Sequence, residues 1–139
     1  MRKKTIINAG FTILMVLFIQ GFPLADTLTD KKLTVYYFHR TLRCPSCILL
    51  ENITHDAVLF GFKQKVDQGK IELKIINIDD PLHAHFIKDY DLSFQSVVLV
   101  KDEDSDHKTF KRLDNAWDYI SEADRFAHYI QAEIQKFYQ

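Results

Sequence analysis

Cys44 and Cys47 are the only cysteines in the 139-residue chain, three apart in Cys44-Pro45-Ser46-Cys47. Two thiols at that spacing can shuttle between dithiol and disulfide, form a static bridge, or hold a metal with further ligands. A bridge across so short a loop removes little entropy from the unfolded chain. Stability is therefore a weak reason for the pair, and reactivity a better one.

Pro45 fits the first turn of a helix, where its missing N–H costs nothing, so a helix is expected to open at the pair. Cys44 would then sit at the helix N-terminus, where the dipole and free backbone N–H groups favour a thiolate. Arg43 and Arg40 add positive charge just ahead of it. Cys47, one turn further in, is expected to be the more buried. The candidate catalytic set is Cys44 as attacking thiol, Cys47 as the thiol that resolves a mixed disulfide, and Arg43 beside them. The expected partner is a protein thiol or disulfide. His39 is a candidate proton acceptor, or a third ligand to copper or zinc beside the two sulfurs. Asp56, Asp79 and Asp80 read as solvated or turn-forming residues. His83 and His85 face different ways on a helix, and His55 and His128 have no close ligand partner in sequence. No resident cofactor is expected. The chain has no Gly-rich phosphate loop for a flavin, no His-Glu-x-x-His and no Gly-x-Ser-x-Gly.

The elements that must position the pair follow in order. The run Leu33-Thr34-Val35-Tyr36-Tyr37-Phe38 predicts a buried strand. After the cysteines, Ile48, Leu49, Ile53, Val58 and Phe60 give the helix an apolar side, with a break near Gly61 and resumption to Val66. Residues 71–78 form a second strand, Asp79-Asp80-Pro81 a turn, and 82–90 a short helix. Ser93 to Ser96 is a loop, Val97-Val98-Leu99-Val100 a third strand, and 107–113 a partly exposed edge strand pairing back on it. Ser121 and Asp124 suggest a capping box before a helix whose stripe is Phe126, Ala127, Ile130, Ile134 and Phe137. Trp117 and Tyr119 are expected to pack below the last strands. The fold class is α/β, with a four-stranded mixed sheet and helices on both faces. An apolar content of 47% with 13% aromatics supports such a core without staples.

Residues 1–25 read as a separate segment. Arg2, Lys3 and Lys4 precede the apolar run from Phe11 to Ile19, which Gln20, Gly21 and Pro23 end before Ala25. That order is typical of an export signal. The run is short for a membrane span of about 20 residues, so an anchor over residues 5–22 and a buried N-terminal helix are the alternatives. The expected location is periplasmic or otherwise exported, with membrane association only through this segment. Setting aside those three basic residues leaves 15 basic and 19 acidic side chains over 26–139, a net of −4. That balance makes the domain a poor candidate for non-specific nucleic-acid binding, and none is expected.

At residues 31–139 the chain resembles the thioredoxin-like superfamily, through Val35-Tyr36-Tyr37-Phe38, Cys44-Pro45-Ser46-Cys47, Ile75-Ile76-Asn77-Ile78-Asp79, Tyr90-Asp91-Leu92 and Val97-Val98-Leu99-Val100. The stretch from His39 through Leu50 is similar to a small bacterial group labelled nitrophenyl-compound nitroreductase subunit, ArsF type. The superfamily resemblance implies a thioredoxin-like fold and dithiol chemistry. It departs at three places. Arg43 stands where thioredoxin commonly has Trp, Phe38 is at the place of its buried acid, and Ser96 replaces the loop proline before the third strand. Without that acid, Cys47 needs another route for losing its proton.

Overall fold

Stiff β-branched and aromatic residues make Leu33–His39 the first strand, β1. The computed structural model describes residues 32–104 and 107–139, with the side chains of 102–108 outside that description. The export segment expected over residues 1–25 lies outside the described residues. The chain continues through α1 (Pro45–Gly61), α2 (Lys63–Asp67), β2 (Ile71–Asn77), α3 (His85–Asp89), β3 (Ser96–Asp104), β4 (His107–Arg112), a 3-10 helix over Asp114–Tyr119, and α4 (Ala123–Tyr138).

The strands form one mixed sheet in the order β2-β1-β3-β4. β1 runs parallel to β2, with Leu33 opposite Ile71 and His39 opposite Asn77. It runs antiparallel to β3, with Phe38 opposite Ser96, and β4 returns antiparallel along β3. Paired on both edges, β1 carries apolar side chains on both faces, and period-2 alternation divides them. Leu33, Val35 and Tyr37 join Val97 and Leu99 in a core closed by Leu50 and Val58 of α1 and by Phe126, Ile130 and Ile134 of α4. Phe38 joins Val98, Val100, Ile78, Tyr90 and Leu92 on the opposite face, where Phe86 and Ile87 of α3 cover it. Helices thus lie on both faces of the sheet. Among the described residues no helix is long and apolar enough to cross a membrane.

Several sequence expectations are corrected. The buried side of α1 is Cys47, Leu50, Thr54, Ala57 and Val58, whereas Ile48, Leu49 and Phe60 are exposed. The true stripe includes a polar residue that apolar periodicity passes over. Thr54 is buried because its hydroxyl donates to the Leu50 carbonyl at 2.7 Å. The helix expected over 82–90 is reduced to α3, since Asp80 Oδ1 accepts from the Leu82 N–H at 2.9 Å and holds a turn there. Ser96 belongs to β3 rather than to the preceding loop. No capping box forms at Ser121. Glu122 is the N-cap of α4, without a side-chain cap bond, and its carboxylate pairs instead with Arg125 at 2.6 Å.

Gly61 ends α1 where α4 comes close. A Cβ there would fall 2.4 Å from Gln131 Nε2, whose amide donates to the Ala57 carbonyl at 3.3 Å. α2 follows at once, as the break at Gly61 implies. Gly69 then takes a positive φ of 71° to turn the chain into β2.

Candidate functional site

The pair lies where β1 hands the chain to α1. Cys44 is the N-cap of α1, with extended backbone angles (φ −82°, ψ 158°) and Pro45 following in the first turn. Its carbonyl accepts from the N–H groups of Cys47 and Ile48 at 3.0 and 3.1 Å. Its sulfur accepts from the Cys47 N–H at 3.1 Å. An N-cap side chain ordinarily supplies this acceptor from oxygen; here the sulfur supplies it. Cys44 and Cys47 are joined as a disulfide, with Cα atoms 5.0 Å apart. Cys44 is exposed, whereas Cys47 is 3% exposed. The first turn of α1 holds no acidic residue, so no carboxylate there opposes negative charge on Cys44. Leu42, 88% exposed, and the exposed Ile48 and Leu49 flank the pair in sequence.

Both arginines ahead of Cys44 are held by carboxylates. Arg43 is ion-paired with Glu51 of α1, the two side chains 28% and 18% exposed. Its charge also acts on the Tyr37 hydroxyl, favouring the ionised form against burial. Arg40 pairs with Asp79 at 2.9 Å, and the other Asp79 oxygen accepts from the Thr41 N–H at 2.8 Å. The Thr41 N–H, ahead of the Arg40 charge, holds the Asp79 carboxyl below its ordinary range. Asp79, expected to be solvated or turn-forming, thus anchors the connection from β1 to the cysteines.

Tyr37 is the β1 side chain that reaches under the pair. Its hydroxyl donates to the Cys47 carbonyl at 2.7 Å. Burial pushes that hydroxyl up to about 12, against the opposing charge of Arg43. Phe38 points to the other face, stacked with Tyr36 at 5.2 Å and against Phe86. The strand residue facing the α1 side is Tyr37, whose hydroxyl is a very weak acid.

The remaining candidates lie elsewhere. His39 stacks on Tyr37, ring centroids 6.3 Å apart, and its Nδ1 donates to the Arg40 carbonyl at 3.0 Å. Among the described residues no group of three or more His, Cys, Asp or Glu could hold a metal ion, so His39 does not complete a ligand set with the two sulfurs. His55 pairs with Asp56 at 3.0 Å. His83 and His85 contact the carbonyls of Asn77 and Leu82 respectively. Ser96 is buried, its hydroxyl donating to the Phe94 carbonyl at 2.9 Å. Trp117 donates from Nε1 to the Gln95 carbonyl at 3.1 Å, bracing the loop before β3, and Tyr119 lies 5.1 Å from the Tyr129 ring.

Sequence reasoning passed over Glu51 and Tyr37. Glu51 stands four residues after Cys47, the spacing that places two side chains on one side of a helix. Tyr37 stands two before His39, and strand alternation sends both to one face. Those spacings were the available signals. No protein-family model matches the chain, and neither a curated protein nor a solved structure matches it.

Proposed function

We propose that the chain is an exported thiol–disulfide oxidoreductase of thioredoxin-like fold that acts on protein cysteines through Cys44 and Cys47. The observation that carries the reading is the unequal exposure of the pair at a helix N-terminus, Cys44 open and Cys47 buried. An exchange reaction needs one sulfur that a partner can reach and one that reacts only within the protein. Further support comes from a mixed sheet with the pair at the N-terminus of the helix that follows its first strand, the layout the resemblance implies. The order of basic, apolar and small residues over 1–25 supports export.

In the reductive direction, the Cys44 thiolate attacks a partner disulfide. One partner sulfur leaves as thiolate and a mixed disulfide forms at Cys44. Cys47 gives up its proton to solvent or a nearby base and attacks Cys44 Sγ, releasing the second partner sulfur. The partner disulfide gains two electrons and the Cys44–Cys47 dithiol loses them. In the oxidative direction, a partner thiolate attacks the exposed Cys44 Sγ and Cys47 leaves as thiolate. A second partner thiolate then breaks the mixed disulfide, leaving both cysteines reduced. The Cys47 N–H 3.1 Å from Cys44 Sγ and the α1 dipole stabilise a Cys44 thiolate in either direction. Leu42, Ile48 and Leu49 offer apolar contact to the partner segment bearing the reacting cysteine.

The test is a pair of single substitutions in the full chain. Cys44→Ser abolishes exchange with a disulfide substrate. Cys47→Ser retains the first attack and accumulates a mixed disulfide at Cys44. Full activity in both variants contradicts the assignment.

A further inference from the structure

The charge nearest the attacking sulfur in sequence is not a free one. Arg43 directly precedes Cys44, but its guanidinium is ion-paired with Glu51, and its charge also acts on the Tyr37 hydroxyl. Tyr37 in turn donates to the Cys47 carbonyl. One connected set, Glu51–Arg43–Tyr37, therefore leads from the second turn of α1 to the backbone of the pair. The ion pair is more than two-thirds buried on both sides, so solvent and salt screen it less than a surface pair.

We propose that Glu51 is a positioning residue that sets the oxidising strength of the Cys44–Cys47 pair by neutralising and holding Arg43. The inference rests on the dithiol reading above and deepens it. A disulfide becomes a stronger oxidant when its reduced, thiolate form is stabilised. Unopposed, Arg43 would stabilise a neighbouring Cys44 thiolate by Coulomb attraction. Glu51 cancels that attraction and, four residues from Cys47 on the same helix, adds a like charge to any thiolate. Both effects disfavour the reduced form. The pair should therefore be less oxidising than its helix N-terminus and adjoining arginine alone would make it.

The experiment is equilibration of the full-length protein with mixtures of reduced and oxidised glutathione, followed by alkylation to count free thiols. The protein disulfide and two glutathione thiols exchange for the protein dithiol and one glutathione disulfide. Glu51→Gln keeps the size and hydrogen-bonding capacity of the side chain while removing its charge. It is expected to move the equilibrium toward the dithiol by roughly three- to tenfold, tenfold being about 30 mV for a two-electron couple. Arg43→Gln is expected to move it the opposite way, the double variant to return near wild type, and Glu51→Asp to stay within about twofold of it. An unmoved Glu51→Gln, or one that shifts in the same direction as Arg43→Gln, overturns the role of Glu51. Should Glu51→Gln fail to fold, the sign of the Arg43→Gln shift decides: movement toward the dithiol overturns the proposal. A wild type that does not equilibrate with glutathione overturns the dithiol reading and this inference with it, which separates that failure from the failure of Glu51 alone.

Discussion

The hydroxyl of Tyr37 donates a 2.7 Å hydrogen bond to the carbonyl of Cys47, tying the central strand to the backbone of the cysteine pair. The folded chain holds this hydroxyl proton up to about 12, against about 10 for an unfolded tyrosine. Its contribution to stability is whole below about pH 10 and is lost as pH rises toward that folded value. A two-unit difference amounts to roughly 2–3 kcal/mol across that window. Tyr129, also pushed to about 12 by burial and then by the Glu133 charge, acts with the same sign. Tyr37→Phe should lose about 1 kcal/mol at pH 7 with the hydrogen bond and decline less steeply between pH 10 and 12. Urea unfolding across that range checks this; an alkaline decline as steep as wild type contradicts it.

Asp79 holds the approach to the pair through Arg40 and the Thr41 N–H. In Asp79→Ala the Thr41 amide loses its acceptor, and hydrogen exchange there should accelerate several-fold while the strands keep their protection. Acidification through the depressed Asp79 value should produce the same local loosening in the wild type. Unchanged exchange at Thr41 in the variant would mean that the loop is held by other contacts.

Glu133 of α4 is 7% exposed, and Lys111 of β4 bonds its carboxylate while Lys136 adds a 3.0 Å contact. The Lys111 bond is the largest cause of its lowered pKa, opposed by burial. A carboxyl with a depressed folded value gives its full stabilisation above the ordinary value of 4.5. That stabilisation is lost as pH falls through the folded value. Glu133→Gln should cost roughly 1–2 kcal/mol at pH 7 and show a flatter acid decline. Thermal melts between pH 7 and pH 3 test it, and an acid decline identical to wild type rules against the pairing.

Much of the fold was legible because long apolar patterns constrain it. Phe126, Ile130 and Ile134 recur at helical spacing and all three are fully buried. The stretches around Val35 and Leu99 are strands for the same reason that they are buried on both faces. Which aromatic of Tyr36-Tyr37-Phe38 faces the pair was not legible. A strand apolar on both faces carries no polar alternation to fix its parity, and one residue of error exchanges Tyr37 for Phe38. At the site, the cysteines and Pro45 announced the helix start by themselves. The partners of Arg43 and Arg40 did not, because Glu51 and Asp79 meet them through chain geometry. Asp79 lies on a loop 39 residues beyond Arg40, and no local pattern connects them.

The most direct test is a redox titration of the full-length chain, with both cysteines trapped by alkylation and metal content measured on the same sample. The account predicts one reversible two-electron transition in which Cys44 and Cys47 become reactive together, with no metal required for either state. A pair that stays bridged under strongly reducing conditions, or two thiols that resist alkylation because a bound metal holds them, would contradict it.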